Sequence, residues 1–148
     1  MEIRRLTSAD APAAAALEAA CFPLGADAAA LARMADDGAY TALCADEDGE
    51  LLGFGYFQSV LDEGYVGDVA VWAEHRRRGV GRAIVEAMLE AGRAQGLAFL
   101  TLEVREGNLA ARRLYELCGF ETVGRRKNYY ERPTEDAVLM TAFLGARG

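Results

Sequence analysis

Between residues 80 and 89 the apolar side chains fall at Val80, Ile84, Val85, Met88 and Leu89. That i, i+4, i+5, i+8, i+9 spacing puts them on one face of a helix. It predicts a long helix from about Gly79 to Gln95, closed by Gly96. The run before it, Tyr65 to Trp72, reads as a strand. Tyr40 to Ala45 and Leu51 to Val60 read as two more strands, joined at Asp48-Gly49, a dipeptide that favours a tight hairpin turn. Ala98 to Val104 is a buried strand pattern, and Glu2 to Leu6 a short opening strand.

Helices fill the gaps. Ser8 or Asp10 can cap an alanine-rich helix that ends near Cys21-Phe22-Pro23. A shorter helix is expected from Asp27 to Asp36, stopped by Gly38. Asn108 looks like the cap of another, with Ala110, Leu114, Leu117 and Cys118 on its inner face and Gly119 at its end. Phe120 to Val123 and Ala137 to Phe143 finish the chain as antiparallel strands. Strands at both ends with two strand–helix units between them predict an α/β fold, a mixed sheet covered by helices on both faces.

Composition narrows the class. A chain of 148 residues, 52% apolar, forms one domain over residues 1–148 with a proper core. It has no uncharged apolar run long enough for a membrane span, and its N-terminus lacks the layout of a secretion signal. Cys21, Cys44 and Cys118 are odd in number and widely spaced, so neither a disulfide framework nor a metal site is expected, and a reducing cytoplasm is. Net charge is −7. A nucleic-acid binder would carry a basic face, so nucleic acid is not expected as a partner. The acidity either attracts a cationic partner or serves solubility.

Against that acidity stands one basic notch, Arg76-Arg77-Arg78-Gly79-Val80-Gly81-Arg82, where strand gives way to helix. A helix start leaves backbone N–H groups unpaired, the glycines let phosphates approach them, and the helix dipole favours the negative charge. The turn is an anion site, most economically for a pyrophosphate. A dinucleotide fingerprint would need glycine where Ile84 stands, and a P-loop would need Gly-Lys-Ser/Thr where Gly81-Arg82-Ala83 stands. Hydride transfer and nucleotide hydrolysis therefore lose ground.

The pattern Arg76-x-x-Gly79-x-Gly81 resembles the acetyl-CoA loop of the GNAT N-acetyltransferase superfamily. Leu102-Glu103-Val104-Arg105, then Asn108-x-Ala-Ala-x-x-Leu114-Tyr115, then Gly119-Phe120 follow in that superfamily's order. Within it the chain looks most like the RimI-type enzymes, which acetylate the N-terminal alanine of a ribosomal protein. Leu114-Tyr115-Glu116, Asn128-Tyr129-Tyr130 and Glu135-Asp136-Ala137 leading to Met140 carry that likeness. Where RimI-type sequences have Phe-Pro-x-x-Trp-Ser/Thr, this chain reads Phe22-Pro23-Leu24-Gly25-Ala26-Asp27.

The resemblance implies a GNAT fold, with a mostly antiparallel sheet of about seven strands, and acetyl-CoA as co-substrate. The backbone from Arg77 to Arg82 would cradle the pyrophosphate, and pantetheine would lie along Val69-Ala70-Val71 near Asn108. A backbone N–H near Val71 would meet the oxyanion. Glu103 is the implied base, since an α-amino group of pKa ~7.7–8 must lose its proton to attack. Tyr115 is the implied acid for the departing thiolate. His75 reads as a packing or phosphate-side residue, and Tyr129, Tyr130 and the Glu131 to Asp136 loop as flanks of the acceptor entrance. The acceptor stays open between a ribosomal protein N-terminus, another protein amine and a small amine. A non-catalytic acetyl-CoA-binding module is the alternative outside catalysis.

Overall fold

The computed structural model describes residues 1–22 and 25–145. Seven strands form one sheet: β1 (Glu2–Arg5), β2 (Tyr40–Glu47), β3 (Glu50–Val60), β4 (Glu63–Val71), β5 (Phe99–Arg105), β6 (Glu121–Tyr130) and β7 (Glu135–Phe143). Their order is β1-β2-β3-β4-β5-β7-β6. Every neighbouring pair is antiparallel except β4 with β5, which run parallel. The helices are α1 (Ala11–Cys21), α2 (Ala28–Asp36), α3 (Val80–Ala94) and α4 (Leu109–Leu117). This is the mixed sheet the sequence predicts.

The two sheet faces bury separate cores. On one, Val80, Ile84, Val85, Met88 and Leu89 of α3 pack against Leu100, Leu102, Val138 and Met140. On the other, Leu17 of α1 and Leu31 of α2 cover Ala42, Cys44, Phe54 and Ala70. Each fully buried large aliphatic side chain contributes about 1.5–3 kcal/mol, so α3 is held by its stripe rather than by propensity. Gly55 brings α3 close. A Cβ there would lie 3.0 Å from both Ile84 Cγ2 and Met88 Sδ.

Several local expectations shift. The hairpin turns at Asp48-Gly49, both at positive φ (53° and 90°). Asp27 caps α2 by accepting from Ala30 N–H at 2.8 Å. Neither Ser8 nor Asp10 caps α1 by its side chain; Ser8–Asp10 is a 3-10 turn. The Asp10 carboxylate turns back to Thr7 N–H (2.7 Å) and to Arg4 (2.8 Å), where two charge-assisted bonds outbid one cap. On α4, Leu117 is 61% exposed, and the buried position is Tyr115. Nine residues give α4 barely two and a half turns, and its inner stripe runs through Ala111, Leu114, Tyr115 and Cys118. β6 continues past Val123 to Tyr130, taking Tyr129 and Tyr130 into the strand. Pro23 and Leu24 of the expected Phe22-Pro23 boundary lie outside the described residues.

Candidate active site

β4 and β5 pair only at their first residues, Glu63–Tyr65 with Phe99–Thr101. Beyond that they diverge, and a wedge opens between Val66–Val71 and Leu102–Arg105. The divergence begins at a bulge in β4: Gly55 pairs with Val69, but Phe57 pairs with Val66, so Gly67 and Asp68 are taken up against a single β3 residue. The edge of β4 facing β5 is therefore without a strand partner over Val69-Ala70-Val71. Trp72 N–H donates to Leu52 O at 3.1 Å, toward β3. By strand alternation, the N–H groups of Val69 and Val71 face the wedge.

The wedge runs into the arginine–glycine turn. Gly79 caps α3 in the left-handed region (φ 78°, ψ 11°), a conformation that costs any residue with a Cβ. Among the described residues, no group in the protein accepts from the N–H groups of residues 77–82. Arg77 also sits at positive φ (65°), so successive N–H groups turn into one concavity. At Gly81 a Cβ would approach Leu114 Cδ2 to 3.2 Å, narrowing the passage between α3 and α4.

These parts line one cleft of about 570 Å³. Its walls include Val69, Ala70 and Val71 on one side, and Asn108 and Tyr115 on the other. Arg76, Arg77, Gly79, Val80, Gly81 and Arg82 close its end. Cys21, Phe22, Ala110, Ala111 and Leu114 complete the lining. Phe22 stands where the resembling family carries its Phe-Pro motif, whereas nothing in the sequence pointed to Cys21, because α1 reaches the cleft through tertiary packing.

The four arginines divide. Arg76 Nε donates to Val71 O at 3.2 Å and braces the end of β4. Arg78 leaves the cleft, bonding Glu47 (3.3 Å) and His75 Nδ1 (2.7 Å), and is thereby separated from the other expected phosphate ligands. His75 reaches Glu50 at 3.2 Å on that same side, so it does not face the phosphate concavity. Arg82 makes an i,i+4 pair with Glu86 at 3.3 Å while lining the cleft. Arg77 has no ion-pair partner among the described residues.

Asn108 caps α4, its Oδ1 accepting from Ala111 N–H at 3.2 Å, and also lines the cleft. Tyr115 is 8% exposed, its ring tilted against Phe120 with centroids 5.4 Å apart. Burial pushes its phenol well above its ordinary value, and the Asp68 charge adds to this. Glu103 is not in the cleft lining. It stands on β5 between the buried Leu102 and Val104, so its side chain emerges on the opposite sheet face, the one covered by α1 and α2. There Arg126 Nε meets its Oε2 at 3.1 Å. Tyr129 lies beside it, and the Glu103 charge raises that phenol. Arg105 Nη atoms bond Pro133 O (3.0 Å) and Glu131 O (2.9 Å), and the guanidinium stacks on Tyr130 at 4.4 Å, fixing the β6–β7 hairpin over β5.

A family model described as "Acetyltransferase (GNAT) family" matches residues 11–120. The chain belongs to the GNAT acetyltransferase family. The open wedge beside the glycine-rich helix start lies mostly within the span matched by that family. The chain is 41% identical over 98 residues to the [ribosomal protein bS18]-alanine N-acetyltransferase of Escherichia coli K12, covering 64% of this chain and 65% of that relative. It is 39% identical over 105 residues to the enzyme of the same name from Salmonella typhimurium, covering 68% and 70%. The crystal structure of the E. coli ribosomal-protein-S18-alanine N-acetyltransferase superposes with a TM-score of 0.90 at 32% identity, covering 99% and 96% of the two chains. No helix among the described residues of this GNAT chain is long and apolar enough to cross a membrane.

Proposed function

We propose that this GNAT protein transfers the acetyl group of acetyl-CoA to the N-terminal alanine of a ribosomal protein of the S18 type, in the cytoplasm. The observation that carries the reading is the single cleft joining the open β4 edge, the unbonded N–H groups of residues 77–82 and the buried Tyr115. The residues fit the donor. A row of N–H groups at a helix start, with Arg77 and Arg82 beside it, suits a pyrophosphate, and Val69 to Val71 offer strand backbone to an extended amide-bearing arm. Relatives up to 41% identical that act on an N-terminal alanine support the acceptor.

The protein's own groups account for each step. The wedge admits donor and acceptor from opposite sheet faces, so the amine approaches from the Glu103 side while Tyr115 points in from α4. Glu103 takes the proton of the ammonium, directly or through a water, and the freed lone pair attacks the thioester carbon. The inward N–H groups of Val69 and Val71 stabilise charge on the carbonyl oxygen. As the C–N bond forms and the C–S bond breaks, the Tyr115 hydroxyl gives its proton to the sulfur, and the second proton shed by the nitrogen passes through water to restore the phenol, while the proton on Glu103 is released to solvent. Because burial keeps that phenol protonated, it is a donor throughout the neutral range. Arg126 must release Glu103 when the ammonium arrives, an exchange of one cation for another.

Mass spectrometry tests this. Peptides with free N-terminal Ala, Ser or Met, and one with only a Lys amine, are incubated with acetyl-CoA. A 42 Da gain (about, one acetyl) on the alanine peptide in preference to the others is expected. Modification of lysine or of small amines alone would remove the ribosomal acceptor.

A further inference from the structure

The acceptor side of the wedge holds a buried carboxyl that the steps above do not use. Glu18 on α1 is fully buried, and its Oε1 has no hydrogen-bond partner among the described residues. Its Oε2 accepts from Ala26 N–H at 3.3 Å. A Cβ on Gly25 would stand 2.6 Å from that oxygen, so the segment leading into α2 folds tightly onto this carboxyl. Asp68, at the bulge of β4, is the carboxylate whose charge Glu18 feels, and Tyr56 feels the charges of both. Asp68 Oδ2 also accepts from the Tyr56 hydroxyl at 3.3 Å.

Two carboxyl groups in contact cannot both hold a charge cheaply, so one proton serves the pair. Burial, with the Asp68 charge adding to it, pushes Glu18 far above the ordinary carboxylate range. Glu18 is then the neutral member, and its unpartnered Oε1 is the atom available to carry a proton toward Asp68. The groups facing the pair are Tyr56 from β3, Tyr40 of β2 behind it, and Tyr115 of α4 at longer range. Among the described residues, no lysine, arginine or histidine pairs with either carboxyl. A half-buried anion without a counter-ion is costly, and a cationic ligand relieves it. The position says which cation. Asp68 directly precedes the open edge at Val69, shares its sheet face with Glu103, and lies close enough to Tyr115 to be felt by its phenol.

We propose that Asp68 is the counter-charge that receives the ammonium form of the acceptor amine, and that Glu18 is a positioning residue holding Asp68 toward the wedge. This rests on the amine-acceptor reading above. The arrangement explains why α1 spends a buried carboxyl on the sheet: a leucine there would pack as well but would leave Asp68 without its donor.

The test is calorimetric titration of a peptide with a free N-terminal alanine into protein saturated with coenzyme A, where no turnover occurs. At about pH 6.5 the amine is cationic, and at about pH 9.5 it is neutral. Asp68→Asn should weaken peptide binding about ten-fold at the lower pH and hardly at the higher, with coenzyme A affinity unchanged. Glu18→Gln, whose amide still donates, should bind like the wild type; Glu18→Leu should follow Asp68→Asn. An equal loss at both pH values, a parallel loss of coenzyme A affinity, or no loss at all would overturn the proposal. So would a wild-type protein that binds no such peptide. A wild type that binds the peptide yet acetylates nothing would sink the catalytic reading while leaving this one supported.

Discussion

Replacing Tyr115 with phenylalanine removes one oxygen and leaves the ring where it is. The ring is buried against Phe120 and packs into the α3/α4 core. No protein hydrogen bond to its hydroxyl is present among the described residues, and the residue lines the cleft. Folding therefore loses no protein partner. Stability should change by about 0.5 kcal/mol or less, which for a domain of this size moves Tm by about 2 °C at most. Catalysis should change far more. A positioned general acid contributes roughly 10²–10⁴-fold, about 2.7–5.5 kcal/mol of barrier. Stopped-flow thiolate release gives kcat, titration gives acetyl-CoA affinity, and a melting curve gives Tm. The expected pattern is kcat lower by about 10² or more, acetyl-CoA affinity within about two-fold, and an unchanged Tm. Because Tyr115 is raised well above its ordinary value, the wild type should show no loss of its acid as pH rises through the range where free phenols begin to ionise. Wild-type kcat in the phenylalanine variant would return Tyr115 to a packing role and remove the acid from the mechanism.

Three further outcomes follow from the same geometry. Glu103→Gln should lower kcat/KM by roughly 10²-fold or more near neutrality and recover part of it at alkaline pH, as the amine sheds its own proton; an unshifted pH–rate profile would exclude Glu103 as base. Arg77→Glu should weaken acetyl-CoA binding by about ten-fold at low ionic strength and less at high salt, since its charge is screened there; a salt-independent loss seen by calorimetry would point to a distorted turn instead. Glu18 makes stability depend on pH. Its carboxyl is raised by burial to about 8, so the stability tied to its proton is fully present below the ordinary carboxylate pKa and is lost as pH rises through the folded value. Tm of the wild type should therefore fall between about pH 6 and pH 9, and Glu18→Gln should flatten that slope; parallel slopes would refute it.

What the chain alone determined was local. The 3.6-residue recurrence from Val80 to Leu89 identifies α3, because one face of a helix must be apolar to stay on a sheet. Asp48-Gly49 fixes a hairpin because those residue types tolerate positive φ. The row of unpaired N–H groups at the start of α3 was equally legible, since it belongs to seven consecutive residues flanking two glycines. The order Glu103, Asn108, Tyr115 could be matched to a family, and the structure does set Asn108 and Tyr115 in the cleft with Val69 to Val71.

What needed three dimensions were the contacts between distant segments. The divergence of β4 from β5, which makes the cleft, depends on a bulge visible only against β3. Arg78 looks like Arg77 in sequence, yet Glu47, 31 residues away, draws it out of the cleft. Leu117 reads as core and is exposed, because short α4 has room under it only for the stripe through Tyr115. Glu18 carries no motif at all. Its meaning arises where α1 crosses the bulge and lays one carboxyl against Asp68, 50 positions further along. Periodicity reports which face a residue takes, because that follows from backbone geometry one turn at a time. It does not report which charge waits on the other side, because that is decided when separate elements exclude the water between them.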